Sequence, residues 1–257
     1  WSGLIHKYCG GHLQTSYDGL MRGKGYLKQW EKAVYKCKSS DITVSTISVL
    51  NKALVTEGPI STIEYLNGLG ITETGWLPFM LNVQNQDTEY DKHSVTMNEF
   101  NDYMIDMTSH WYAEIKKGRK LPMIGEAGFI ANKAITDKAD NMAIQTLFLM
   151  PDGEVCLPNY KDGWLEYLEP FGNLLDVDTS FFDILVSEPR QKYLRRQMIR
   201  NGNVECQTCD HKNECLLEFA KPNKNDDACF GADRYVAWLK NNPNIMDSLI
   251  NSKECFL

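Results

Sequence analysis

No apolar run in this 257-residue sequence approaches the roughly 18–20 residues that a membrane-crossing helix requires, so no such helix lies within it. Basic blocks are equally scarce. The net charge is −7, from 27 Lys and Arg against 34 Asp and Glu. It is spread over both halves, which argues against a nucleic-acid-binding role, because neutralising phosphates takes concentrated Lys and Arg. The one basic cluster, "RQKYLRRQMIR" (190–200), reads as the polar face of a helix. Internal repeats and low-complexity segments are missing too. The opening, "WSGLIHKYCGG", has no charged segment leading into an apolar one, so no secretion signal is expected and a cytoplasmic location is. It does not begin with Met, so a longer chain is expected.

Hydrophobic residues make up 43% of the chain and aromatics 11%, enough to bury the core of a large domain or of one and a half. The sequence also has eight cysteines. Without an export signal, metal binding is the better default for them than disulfides.

The first 85 residues alternate two periodicities. "HLQTSYDGL" (12–20) predicts a short strand running into a turn at Asp18-Gly19. "GYLKQWEKAVYKCK" (25–38) sets Leu27, Trp30, Val34 and Cys37 at helical spacing, with Cys37 as a packed core thiol. "DITVSTISVL" (41–50) is β-branched and almost continuously apolar or small, as a buried strand should be. "ISTIEYLNGLG" (60–70) predicts a helix stopped at Gly70, and "GWLPFMLNVQ" (75–84) a further buried strand. Strand, helix, strand, helix, strand with short connections is the pattern of βαβ units and a parallel sheet. Three strands are visible, and the sheet is expected to be open on its N-terminal side.

Further on, "SVTMNEFNDYMIDMTSHWYAEIKKG" (94–118) carries a capping-box pattern at Thr96 and Glu99. Met97, Phe100, Met104, Met107, Trp111 and Ile115 then give it one apolar face. "QTLFLMPDGEVCL" (145–157) predicts a β-hairpin across Pro151-Asp152-Gly153. "GNLLDVDTSFFDIL" (172–185) passes through a loop into a helix, and a cysteine-rich tail follows.

That tail reads C-x2-C-x5-C-x13-C, from Cys206, Cys209, Cys215 and Cys229. Four thiolates suffice for a tetrahedral zinc ion or for one [4Fe–4S] cluster, and spacing alone does not choose between them. His211, inside the loop, reads as a solvated side chain.

The order "PDGEV", "GN" and a helix, then C-x2-C-x5-C and a distal cysteine, resembles the SPASM domain of radical S-adenosylmethionine (SAM) enzymes. The segment from "TSYDGLMRGKG" through "DITVSTISVLN" to "WLPFML" is similar to the fourth to sixth strands of the radical SAM partial barrel. The resemblance implies an α/β fold. Residues 1–120 would form the C-terminal part of a partial (β/α)6 barrel, and residues 121–257 a small α+β iron–sulfur domain of SPASM type. It also implies S-adenosylmethionine contacts at Ser16 and Asp18, on a strand end, with Ser45 and Arg22 as weaker candidates. The Arg22 guanidinium would pair with the methionyl carboxylate.

The departures from the family pattern are orderly. Its first auxiliary cluster uses C-x9–15-G-x4-C and the last cysteine of C-x2-C-x5-C-x3-C. Here no cysteine precedes Gly153 at that spacing, Pro158 stands at the second position with Cys156 two residues early, and Phe219 stands at the third. The four ligands of the second cluster, Cys206, Cys209, Cys215 and Cys229, are all present. One auxiliary [4Fe–4S] cluster, twitch-like, is therefore expected, with Cys156 as a strand residue. The C-x3-C-x2-C loop that holds the catalytic cluster and S-adenosylmethionine is absent, and Cys9 stands alone.

The resemblance thus implies an enzyme that abstracts a substrate hydrogen with a 5′-deoxyadenosyl radical. Its catalytic cluster would be ligated outside these residues, in a longer chain or by a partner that supplies the other half-barrel. A flavodoxin- or ferredoxin-like electron donor and a peptide or protein substrate are expected, with a small-molecule substrate as the alternative. From another class, a non-catalytic scaffold whose tail is stabilised by zinc on four cysteines also accommodates the pattern.

Overall fold

The computed structural model describes residues 1–79, 88–136, 146–158, 168–198, 208–212, 214–215 and 229–253. A parallel sheet dominates its first half, in the order β1 (His12–Ser16), β2 (Thr43–Val49), β3 (Glu73–Leu77) and β4 (Met123–Ile124). All three pairings are parallel. Helices α2 (Lys24–Ser39), α3 (Lys52–Glu57), α4 (Pro59–Leu69) and α6 (Met97–Ile115) fill the crossovers, with the short α5 (Thr88–His93) before α6. Helix α1 (Ser2–Cys9) lies beside the edge strand β1 and buries none of its residues.

The register places Thr15, Thr46 and Thr74 in one row, and Tyr17, Ser48 and Trp76 on the same face. That face is covered by helices. Trp30 of α2 donates its indole N–H to Thr15 Oγ1 at 3.2 Å, Thr46 Oγ1 bonds Thr74 Oγ1 at 3.0 Å, and the ring of Trp76 lies 5.2 Å from that of Tyr103 on α6. Tyr17, Val44, Leu50, Ile63, Leu66, Trp76, Met104, Met107 and Trp111 form one continuous core there.

Local signals set the helix ends. Gly70 closes α4 in the left-handed conformation at φ 82°, a geometry that disfavours a side chain. Thr96 Oγ1 accepts the Glu99 amide at 3.0 Å while the Glu99 carboxylate takes the Thr96 amide at 2.8 Å, which completes the expected capping box of α6.

Strand β4 is the fourth strand that periodicity did not reveal, because two residues are too few to show a period. It leads directly into α7 (Gly125–Thr136). Strand β3 lies two residues earlier than "GWLPFMLNVQ" suggests and ends before Pro78, which has no N–H for a ladder. Residues 80–84 of that expectation lie outside the described residues.

The second half holds an antiparallel sheet of β5 (Phe148–Leu149), β6 (Glu154–Pro158) and β7 (Leu168–Asn173). The expected hairpin is present, with the Gly153 amide closing the turn onto the Met150 carbonyl at 2.9 Å. Helix α8 (Phe181–Val186), capped by Ser180 and Asp183, and α9 (Glu188–Met198) follow. Helix α9 takes in residues 190–198 of the basic cluster, but Arg190 is buried and donates to the Leu185 carbonyl at 2.7 Å instead of lying on a polar face, and residues 199–200 lie outside the described residues. Val155, Leu157, Phe171, Ile184 and Tyr193 make a small core of their own.

Helices α10 (Asp233–Lys240) and α11 (Pro243–Lys253) then return to the first core. The Tyr235 hydroxyl lies 2.7 Å from Thr108 Oγ1, and the Tyr235 amide donates to Asn101 Oδ1 at 3.0 Å. Arg234 pairs with Asp102 of α6, and α11 packs along α7. Phe230 and Ala232 are buried in that same core, so the segment carrying Cys229 is fixed to the parallel-sheet layer.

Candidate functional site

Parallel sheets normally have both faces covered. Here, among the described residues, the second face is not. His12, Gln14, Thr43 and Glu73 are exposed on it, and Ser16, Ile47, Val49, Gly75 and Leu77 are half-buried. Open α/β sheets bind ligands at the carboxyl ends of their strands, where the loops diverge. On this face the row Ser16–Ile47–Gly75 marks that end.

Asn51 organises the strand ends. It is fully buried, and its side-chain oxygen accepts the amides of Ala53 and Leu54 at 3.0 and 3.2 Å, capping α3. Its Nδ2 donates to the carbonyls of Asp18 and Val49 at 3.3 and 3.1 Å. One side chain thus ties the end of β1 to the end of β2. "LNKAL" carries this signal as an N-cap residue directly after a strand, and the sequence reading passed over it.

Ser16 ends β1 and shares the open face with Ser45. Ser45 sits two positions deeper along β2, is buried, and its hydroxyl lies 2.9 Å from His12 Nε2. Asp18 is buried just past β1, and Arg22 reaches it from the turn at 2.6 Å without a hydrogen-bonding angle. Ser16 and Ser45 are therefore brought together on one surface, while Asp18 and Arg22 are brought to each other. Near them Glu57, at the end of α3, accepts from the buried Tyr17 hydroxyl at 3.5 Å, and burial raises its carboxyl pKa.

Glu126 is the residue of this face that sequence reasoning missed. It stands in the first turn of α7, directly after β4. A Cβ placed on Gly75 would meet its Oε1 at 3.0 Å, and a Cβ on Gly125 would meet Glu73 Oε1 at 3.0 Å. The two glycines thus clear the space in which two carboxyl groups lie against the sheet. Burial, with the nearby Glu73 adding to it, pushes the Glu126 pKa up to about 8 despite hydrogen bonds from backbone amides. Only the fold could reveal it, since "PMIGEAG" looks like an ordinary helix start.

Of the four tail cysteines, Cys206 lies outside the described residues. The amide of His211 donates to Cys209 Sγ at 3.4 Å, and the amide of Gly231 donates to Cys229 Sγ at 3.2 Å. An amide two residues on, pointed at the sulfur, is a hydrogen bond of the kind that metal-bound sulfurs accept. A Cβ on Gly231 would fall 3.0 Å from Cys215 Cβ, 3.3 Å from Cys229 Sγ and 3.8 Å from Cys215 Sγ. Cys215 and Cys229 thus converge on a position that has room only for glycine. Among the described residues no three potential ligands are gathered closely enough to hold a metal ion, and none of the described cysteines forms a disulfide. The thiol set and its aimed amides fit a thiolate-bound metal group. Lys240 of α10 ties this loop down through Glu214 at 2.8 Å.

The other cysteines behave differently. Cys156 is buried on β6, where burial raises its thiol pKa, as suits a strand residue. Cys37 packs against the main core, and Cys9 is exposed at the end of α1.

No family model matches the chain, and no curated protein matches it. Solved structures do. Native anSMEcpe with bound AdoMet and Kp18Cys peptide aligns with a TM-score of 0.68 at 11% identity, over 98% of this chain and 72% of that one. The same protein with bound AdoMet and Cp18Cys peptide gives 0.69, and with bound AdoMet 0.66, at the same identity and coverage. anSME is an anaerobic sulfatase-maturating radical SAM enzyme of SPASM type. At this identity the likeness shows the fold, a partial radical SAM barrel with a C-terminal domain.

Proposed function

We propose that residues 1–257 belong to a radical S-adenosylmethionine enzyme that modifies a peptide or protein, with the bare face of its parallel sheet as the reaction surface. The uncovered face is the observation that carries this reading. A two-layer arrangement would leave a parallel sheet poorly buried unless that face encloses a ligand or further strands. The fold match supports it, since the matched structures of anSMEcpe hold AdoMet and peptide.

In this reading S-adenosylmethionine, reduced by a cluster ligated outside residues 1–257, supplies a 5′-deoxyadenosyl radical that takes a hydrogen atom from the substrate. The chain's own residues bind and shield. Ser16 presents a hydroxyl at the strand end, Asp18 and its partner Arg22 lie beside it, and Asn51 fixes that end. Cys206, Cys209, Cys215 and Cys229 would hold one auxiliary [4Fe–4S] cluster, which would supply electron transfer with a flavodoxin- or ferredoxin-like donor or form part of the pocket wall. The remaining strands come from further chain or from a partner.

The test is anaerobic turnover by the native protein with S-adenosylmethionine, dithionite and a host peptide fraction. Release of 5′-deoxyadenosine is expected. An iron-loaded preparation that releases none overturns the reading.

A further inference from the structure

Helix α2 carries a row of positive charge that the rest of the fold does not answer. Trp30 and Val34 are buried on its inner side, and Leu27 and Cys37 pack against the same core. Lys24, Lys28, Lys32 and Lys36 recur every four residues on the opposite side, and all four are exposed. The row runs about 18 Å at 1.5 Å per residue, with neighbouring charges about 6 Å apart. Tyr35 lies among them, 54% exposed. The other charged residues of α2 have structural partners. Glu31 accepts the Tyr65 hydroxyl at 2.6 Å, and Lys38 lies over the C-terminal end of α4, where a Cβ on Gly70 would meet its Nζ at 3.0 Å. Elsewhere Lys92, Lys117, Lys192 and Lys240 each pair with a carboxylate. Among the described residues the four lysines of the row pair with none.

The arrangement works against the helix that carries it. Like charges four residues apart repel, and Lys24 stands in a first turn that holds no acid, where the helix dipole favours one. A chain of net charge −7 has carboxylates enough to neutralise such a row, yet places none on it. The complementary charge has to come from outside. We propose that the outer face of α2 is a docking surface for an acidic protein that presents carboxylates at helical spacing, with Tyr35 as the contact at its centre. The row holds no arginine for bidentate phosphate contact and a single ring for stacking, which favours carboxylates over a nucleic-acid backbone. Helix α2 lies on the covered side of the sheet, through Trp30 on Thr15. The surface is therefore separate from the bare face, and the proposal does not rest on the radical reaction.

A fluorescein-labelled helical peptide of repeating Glu-Ala-Ala-Ala is the probe, since it offers carboxylates at the same four-residue step. Anisotropy titration of the native protein should give saturable binding at about 50 mM salt, weakened roughly tenfold at about 200 mM as the charges are screened. Lys28→Glu combined with Lys32→Glu turns repelling pairs into attracting ones, so this double variant should fold as stably as the wild type. Its affinity for the probe should fall at least about tenfold, and it should bind a Lys-Ala-Ala-Ala peptide more tightly than the wild type does. Lys116→Glu combined with Lys120→Glu makes the same charge change beyond α6 and should leave affinity within about twofold. Tyr35→Ala should weaken binding about fivefold with the salt dependence unchanged. No saturable binding at the lower salt, undiminished binding by the folded double variant, or tighter binding of an oligothymidylate of equal charge overturns the proposal. Should the double variant not fold, the oligothymidylate comparison and the Tyr35→Ala titration still decide it.

Discussion

Single residues decide the geometry at both candidate sites. Gly231 is the sharpest case, because any Cβ there meets Cys215 and the Cys229 sulfur. Gly231→Ala should lower bound iron per chain while the count of titratable thiols in the unfolded protein stays unchanged, measured by metal analysis beside a thiol assay. Asn51→Ala removes a helix cap and the tie between two strand ends, and should cost about 1–2 kcal/mol in urea unfolding. Asn51→Asp keeps the capping oxygen but loses the donor to Asp18 and Val49, so it should recover only part of that loss. The cysteine spacing was legible in the sequence because ligand sets repeat at short intervals, and so was the helix cap at Asn51, whose partners Ala53 and Leu54 are local. The tie from Asn51 to Asp18 and the placing of Glu126 against Gly75 were not, since only the parallel register brings those residues together.

Elements with strong periodicity were readable, and short ones were not. The helix over 94–118 showed its apolar stripe and its capping box, and both are present. The eight residues of α1 and the six of α3 are too few to establish a period, and β4 and β7 carry no alternation that the eye can separate from loop. Beyond the C-terminal end of α6, Arg119 clamps two carboxylates from different helices, bonding Glu64 of α4 through Nη2 at 2.7 Å and reaching Glu114 of α6 as well. Both carboxyls are held below their ordinary pKa by Lys117, Arg119 and His110, with Glu114 lowered to about 2. Their pairing therefore favours the folded state above about pH 4.5, and the contribution disappears as pH falls toward 2. Acid unfolding of Arg119→Ala should be less steep over that interval than that of the wild type, followed by circular dichroism.

At the scale of the whole molecule, the chain folds back on itself. The cysteine loop is followed by helices that rejoin the first core, so Phe230, Tyr235, Val236, Leu239, Ile245 and Leu249 are buried beside α6 and α7. Each such side chain contributes about 1.5–3 kcal/mol on burial, so together they match the net stability of an ordinary domain. A chain ending at residue 229 should accordingly lose its cooperative thermal transition, checked by calorimetry. The composition announced a buried core, and strand–helix alternation announced the parallel sheet. The return of the tail was invisible, because amphipathic helices do not say which surface they will cover.

The cysteine tail belongs to the same architecture, since backbone amides of His211 and Gly231 are aimed at the sulfurs of Cys209 and Cys229. The most direct test is the iron, sulfide and zinc content of anaerobically purified protein, beside that of Cys209→Ala. About four irons and four sulfides per chain are expected in the wild type and lost in the variant, with little zinc in either. One zinc per chain with no iron, or iron unchanged in Cys209→Ala, would contradict a cluster held by these four thiolates.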